Sequence, residues 1–324
     1  MLGLGHSLVA GSMLDSLYLM TKSFTFDGTD DIFLTNTLSG VAAADGNAKS
    51  RTRSLSVAVW VRLDDDTDNP YNYASGTQTI VSCNFNGGWS LNYGNKKFSA
   101  FIPYKDGGGS NYNHTTATTY AKMRTPTGGT DYGRYLYKSD HWHLVVFTSD
   151  LENNDSTVVT NLYVDGNRAQ AGTAAQDGSS GITQFGSEPE TSTSKITSNS
   201  PSGGDFERRY DTNYNEIDIT IGAAGNFNTS TDVTSFKNNP WFGSIGDVAI
   251  WENVVLTQDD IANLYNLHVP IDMSTIQSSS LIGYWRPTNG LDDSVSEVTG
   301  TLVDDTAIVD DAPSLDVSAY SGYS

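Results

Sequence analysis

The sequence predicts an all-β protein: an antiparallel jelly-roll β-sandwich with one short helix, long loops and extensions at both ends. Three observations carry that reading. Leu55, Val57, Val59, Val61 and Leu63 occupy every second position of one segment, the period of a strand with one face on a core. Asp27-Gly28 and Asp165-Gly166 punctuate apolar runs as tight turns do. Glycine (31 of 324 residues) and abundant Ser, Thr, Asn and Asp supply many further turns, while an apolar fraction of 37% suffices for a core.

In chain order, residues 1–21 form a Leu/Met/Gly/Ser-rich arm with no clean period of two. Its Leu2, Leu4, Leu8, Val9, Met13, Leu14, Leu17 and Leu19 are too apolar for a free tail. Either the domain or a neighbouring subunit covers them. The second option makes Leu2, Leu4, Leu8, Met13, Leu14 and Leu17 interface residues.

Residues 22–268 hold the sandwich. Ser23-Phe24-Thr25-Phe26, the turn Asp27-Gly28, then Ile32-Phe33-Leu34 read as strand, tight turn, strand. The alternating segment 55–63 has a mixed second face, Ser56, Ala58, Trp60 and Arg62. Further strands are expected at Thr79–Val81, Trp89–Tyr93, Lys97–Ile102, Trp142–Phe147, Asn161–Val164, Glu216–Ile221 and Gly246–Trp251. Asp165-Gly166-Asn167 is a type I′ hairpin signature. The helix starts at Thr257 with Asp260 three residues on, a capping box, shows an apolar face at Ile261, Leu264 and Tyr265, and ends before Pro270. Two long insertions, 103–138 and 168–213, belong to function or to a partner. Residues 269–324 form a C-terminal extension with one strand, Leu281–Trp285, and an acidic tail.

The charge balance, 38 acidic against 18 basic residues for a net −20, repels phosphate backbones and anionic membranes. Neither nucleic acid nor membrane is expected as a partner. Cys83 is the sole cysteine, so no intrachain disulfide forms. The N-terminal apolar run lacks a basic flank and is broken by Gly, His and Ser, a poor signal peptide. Synthesis in the cytoplasm and release by lysis, within a virus particle, is the expectation.

The order of the pieces resembles a family. Phe26-Asp27-Gly28-Thr29-Asp30-Asp31, Leu55–Val61, Gly88-Trp89-Ser90-Leu91, Trp142-His143-Leu144-Val145, Leu162-Tyr163-Val164-Asp165-Gly166, Ile219-Thr220-Ile221-Gly222 and Phe242–Trp251 follow one another as in laminin-G-like, concanavalin A-like lectin domains. The resemblance covers about residues 22–267 and implies a β-sandwich that binds glycans or proteins, sometimes through Ca²⁺. The leader Met1-Leu2-Gly3-Leu4-Gly5 with Ser7-Leu8 resembles the start of structural proteins of marine tailed phages. That likeness implies a virion protein, contacting other virion proteins and copies of itself.

Residue types and spacing bear on several chemistries. Glu216-Ile217-Asp218-Ile219 resembles the start of a glucanase catalytic strand, but a retaining glycosidase needs a second carboxylate about 5–5.5 Å away. Thr220 and Ile221 stand where it should be, so an enzyme is not expected. His141 and His143 lack the further ligands of a zinc site. Asp64, Asp65, Asp66 and Asp68 lack the Gly and Glu of a calcium-binding EF-hand. The candidate Ca²⁺ ligands are Asp30 or Asp31 with Asp247, oxygen donors on elements the family brings close. Gly107-Gly108-Gly109 is turn chemistry without the strand and helix of a phosphate loop. Tyr104, Tyr112, Tyr132 and Tyr135, in or near the insertions, are candidates for partner or glycan contact. The resulting expectation is a non-enzymatic virion structural protein, a lectin-like module on capsid or tail that also attaches to host-surface glycans. A carbohydrate-binding adhesin is the alternative, and a glycoside hydrolase is disfavoured.

Overall fold

Period-two alternation sorts all the described strands but one short pair into two layers. A computed structural model describes residues 20–29, 31–35, 54–64, 77–83, 89–94, 97–105, 112–118, 142–152, 157–168, 194–197, 207–208, 219–225, 237–266, 269–295 and 299–313. The strands are β1 (Ser23–Asp27), β2 (Ile32–Thr35), β3 (Ser54–Leu63), β4 (Thr77–Cys83), β5 (Ser90–Gly94), β6 (Lys97–Lys105) and β7 (Tyr112–Thr118). They continue with β8 (Trp142–Glu152), β9 (Thr157–Val164), β10 (Asn167–Arg168), β11 (Ser194–Thr197), β12 (Glu207–Arg208), β13 (Ile219–Ile221), β14 (Ala224–Gly225) and β15 (Lys237–Asn238). The last are β16 (Phe242–Glu252), β17 (Leu281–Trp285), β18 (Gly300–Val303) and β19 (Ala307–Val309), with α1 (Gln258–Tyr265) between β16 and β17.

Sheet A runs β10-β9-β8-β3-β16-β1-β19, with β11 also on β9 and β17 also on β16. Sheet B runs β12-β6-β5-β4-β13-β2-β18, with β7 also on β6. Every pairing is antiparallel, from the long β3–β8 ladder to the short β18–β2 edge. The predicted jelly-roll sandwich is the fold.

One face of each sheet meets in a shared apolar core. Val57, Val59, Val61, Val145, Phe147 and Ile250 come from sheet A; Phe33, Val81, Leu91, Phe98, Ile219 and Ile221 come from sheet B. The turn at Asp27-Gly28, with Gly28 at φ 81°, does not close a hairpin. It carries the chain across the sandwich, because β1 pairs with β16 and β19 while β2 pairs with β13 and β18. Phe24 and Phe33 then meet from opposing sheets, both pointing inward, and their rings stack with centroids 4.5 Å apart in the shared core. By contrast, Asp165 (φ 52°) and Gly166 (φ 76°) form the predicted hairpin turn between β9 and β10.

Sheet A has a second apolar layer on its outer side. Ala58, Trp60, Trp142, Leu144, Ala249 and Trp251 pack there against Leu256, Ile261, Leu264, Met273 and Tyr284. The mixed face of β3 is thus buried by α1 and the segment after it. Thr257 caps α1 through a reciprocal capping box with Asp260, and Ile261 and Leu264 are its buried residues. Trp251 Nε1 donates to the Ile276 carbonyl at 2.8 Å, fastening the segment that follows.

The C-terminal region departs from expectation. It contributes three strands where the sequence showed one: β17 beside β16, β18 at the edge of sheet B, and β19 at the edge of sheet A. The two edge strands are three or four residues long and flanked by Asp304, Asp305, Asp310 and Asp311, so they carry little apolar periodicity. Short, acid-flanked edges also resist pairing with another chain. The Thr306 hydroxyl to Val303 and the Asp311 amide to Val309 occupy carbonyls of these strands. Among the described residues, no helix is long and apolar enough to cross a membrane.

Candidate functional site

The outer face of sheet B is chemically unlike that of sheet A. Leu91 faces the core, so its neighbours Ser90 and Asn92 face outward; Ile219 and Ile221 place Thr220 outward in the same way. Ser82 follows Val81 out of the core on β4, and Ser99 lies between core residues Phe98 and Ala100 on β6. Register aligns these side chains into rows: Ser99–Asn92–Thr79 across β6, β5 and β4, and Ser90–Ser82–Thr220 across β5, β4 and β13.

Hydrogen bonds orient the layer. Thr79 Oγ1 donates to Asn92 Oδ1 at 3.0 Å, and Asn92 Nδ2 donates to Ser90 Oγ at 2.8 Å. Ser82 Oγ and Thr220 Oγ1 share a hydrogen bond at 2.7 Å. Buried polar groups need such partners, and bonding on both sides holds the Asn92 amide between Thr79 and Ser90. The centre is buried, with Thr220 at 0% and Asn92 at 9% exposure, while Ser90 and Ser99 are half-buried. An amide also carries a second N–H and a second lone pair, and a hydroxyl that accepts retains a proton to donate. This is a fixed array of uncharged donors and acceptors. On β13 the outward position is a locked threonine hydroxyl, which offers no carboxylate for acid–base work.

The residues singled out from sequence fall elsewhere. Asp31 is buried and turned back on its own turn, its Oδ2 accepting from the Asp27 amide at 2.6 Å. Asp247 is buried on the other side, where its Oδ2 accepts from the Tyr284 hydroxyl at 2.9 Å; that hydroxyl accepts in turn from the Met273 amide at 3.1 Å. β1 does lie beside β16, but in a register that sets Asp27 opposite Phe242. Asp247 therefore lies about five residues, roughly 16 Å of strand, further along. The candidate Ca²⁺ pair Asp31–Asp247 is not brought together, and Asp30 lies outside the described residues. Among the described residues, no group of three or more His, Cys, Asp or Glu is placed to hold a metal.

His143 has a structural occupation. Its Nδ1 is 2.8 Å from Asp165 Oδ2, and Asp165 Oδ1 accepts from the Leu144 amide at 3.0 Å, so the pair ties the β9–β10 turn to β8. Asp64 pairs with Arg62 at 3.1 Å. Tyr104 on β6 stands opposite Asn113, and Tyr112 on β7 opposite Lys105. Tyr132, Tyr135, His141, Glu216–Asp218, Asp65, Asp66, Asp68 and the arm residues Leu2, Leu4, Leu8, Met13, Leu14 and Leu17 lie outside the described residues. At the C-terminal end of the arm, Met20 is buried in the second apolar layer, and its Sδ accepts from the Asp247 amide at 3.4 Å.

The hydroxyl layer is what sequence reading missed. Its signal was present, as polar residues alternating with apolar ones in Ser90-Leu91-Asn92 and Ile219-Thr220-Ile221. Only the register shows that those residues line up across four strands.

Neither a family model nor a curated protein matches the sequence. Among solved structures, the chain is similar to the binding domain of botulinum neurotoxin serotype G, with 12% identity and a TM-score of 0.37 over 76% of this chain and 42% of that one. The serotype D binding domain gives 15% identity and a TM-score of 0.38 over the same shares, 76% and 42%. The CBM40 of Ruminococcus gnavus IT-sialidase, bound to α2,3-sialyllactose, gives 8% identity and a TM-score of 0.37 over 74% of this chain and 96% of that one. The chain thus covers less than half of either toxin binding domain. Assignment of the sandwich rests on the strand pairing above.

Proposed function

We propose that the protein is a non-enzymatic, lectin-type binding module that offers the outer face of sheet B to a host-surface glycan. The oriented Ser90–Asn92 pair, with Ser99 opposite Asn92 and with Thr79, Ser82 and Thr220 behind it, carries this reading. Sugars present closely spaced uncharged hydroxyls, and fixed donors and acceptors recognise them without reordering on binding. Most of sheet A's outer face is packed with apolar side chains, whereas the outward residues at the centre of sheet B are hydroxyls and an amide, reached from solvent beside the half-buried Ser90 and Ser99.

The finer reading places this module in a tailed-phage virion, on capsid or tail, among other virion proteins and copies of itself. Two features support it: the likeness of the first residues to phage structural proteins, and the seat of Met20. Met20, buried next to Asp247, holds the C-terminal end of the apolar arm against the sandwich. Leu2, Leu4, Leu8, Met13, Leu14 and Leu17 then reach for a neighbouring subunit. The adhesin alternative shares the glycan but not the arm's role.

Two measurements test this. The full chain on a glycan array is expected to retain at least one oligosaccharide; an empty array overturns the lectin reading. Deletion of residues 1–19 is expected to abolish incorporation into particles while the sandwich stays folded; normal incorporation overturns the arm's role.

A further inference from the structure

A second polar row crosses sheet A just beyond its apolar outer layer. Trp142 on β8 stands opposite Arg62 on β3, Arg62 opposite Ser244 on β16, and Ser244 opposite Thr25 on β1. Directly opposed residues on adjacent strands hold their Cβ atoms about 4.5–5.5 Å apart. Neighbours Val61 and Ile245 point into the inner core, so Arg62 and Ser244 face outward beside Trp142. The Arg62 guanidinium lies over the Trp142 ring, 5.9 Å from its centroid.

One carboxylate occupies this row. Asp311 Oδ2 lies 2.6 Å from Arg62 Nη1 and accepts from Ser244 Oγ at 3.3 Å. Arg62 Nη2 reaches Ser244 Oγ at 3.3 Å and Asp64 Oδ1 at 3.1 Å. The cradle is made of strand residues, whereas Asp311 belongs to the stretch after β19, held there by its own amide on the Val309 carbonyl. A guanidinium on an aromatic floor with a hydroxyl beside it is a good receptor for an organic carboxylate. The Arg62 and Asp311 side chains remain 26% and 27% exposed, so solvent keeps their attraction weak and exchangeable.

We propose that Asp311 is a built-in stand-in for an external ligand, and that Trp142, Arg62 and Ser244 form a binding site for the carboxylate of an acidic sugar. Asp64 already shares the guanidinium, which lowers the positive charge of the cradle and favours a singly charged carboxylate over a phosphate dianion. Trp142 and Ser244 are themselves buried, at 6% and 1% exposure, beneath the Arg62 guanidinium and Asp311, so a ligand meets them only once Asp311 has moved aside. In the resting chain Asp311 closes the site, and the ligand enters by displacing it. This inference stands apart from the reading of sheet B, since it uses the opposite sheet and a charged group.

The test is calorimetric titration of the full chain and its Asp311→Asn variant with glucuronate, N-acetylneuraminate, acetate and glucose. A partly buried ion pair holds the site closed most of the time, so its removal is expected to tighten binding of both sugar acids about sixfold. Adding Arg62→Lys is expected to abolish that gain, because lysine keeps the charge and loses the fork. Glucose is expected to show no difference between the chains. An Asp311→Asn chain with native circular dichroism and unchanged affinity for sugar acids would overturn the proposal. Acetate binding as tightly as the sugar acids would overturn the assignment to sugars. In the unmodified chain, millimolar glucuronate is expected to shift the Arg62 side-chain NMR resonances; no shift sinks the idea even if the variant fails to fold.

Discussion

The outer faces of the two sheets begin from the same backbone pattern and end in opposite ways. On β3 and β16, the residues alternating with the core are Ala58, Trp60, Ala249 and Trp251, and the chain returns with α1 and Met273 to cover them. On β4, β5 and β13 the corresponding residues are Ser82, Ser90, Asn92 and Thr220, which bond to one another across the strands. Large apolar side chains on an outer face force the chain to supply its own cover. Small hydroxyls and an amide are satisfied within the sheet and leave the face suited to polar contact.

On that contrast, the apolar layer on sheet A's outer face carries stability and sheet B's outer face carries recognition of neutral glycans. The largest effect is expected at Trp60→Ala, which empties the centre of the second apolar layer: a loss of about 3–5 kcal/mol in urea denaturation. Gly246→Ala comes next. A Cβ there would lie 2.6 Å from Met20 Sδ and 3.2 Å from Trp60 Cβ, so overpacking is expected to cost about 1–3 kcal/mol. The clash with the methionine is relieved in a Met20→Ala background, so recovery of part of the loss identifies Met20 as the filler of that slot.

On sheet B the smaller, paired effect is the informative one. Thr220→Val leaves the Ser82 hydroxyl buried without its partner and is expected to cost about 1–3 kcal/mol. Adding Ser82→Ala is expected to restore most of it, since removing both partners is nearly neutral. A double variant no better than the single would mean that the pair is not the unit. Smallest is Thr257→Ala, expected to cost about 1 kcal/mol by opening the capping box of α1.

How much of this was legible beforehand follows from range. The β3 pattern, the type I′ turn at Asp165-Gly166 and the capping box at Thr257 are set by residues within a few positions of one another, and each forms as the sequence indicates. The turn at Asp27-Gly28 was visible, but its partner strands were not, because a turn does not specify which sheet receives the next strand. The edge strands β18 and β19 carry too few apolar residues to announce themselves and are fixed by β2 and β1. The same limit hid the hydroxyl layer. Each of its residues looks like an ordinary outward position until β4, β5 and β13 are set in register. It also misplaced Asp247, whose bulged strand turns it toward Tyr284 and away from the first turn.

The most direct test of the central claim compares Asn92→Ala with Arg62→Ala, titrating each calorimetrically with the tightest neutral glycan found on the array. Loss of one well-oriented amide is expected to weaken binding about tenfold, the equivalent of about 1.4 kcal/mol, while Arg62→Ala leaves the affinity unchanged. The reverse outcome, full affinity in a folded Asn92→Ala chain with binding lost in Arg62→Ala, would contradict the account and move recognition to sheet A.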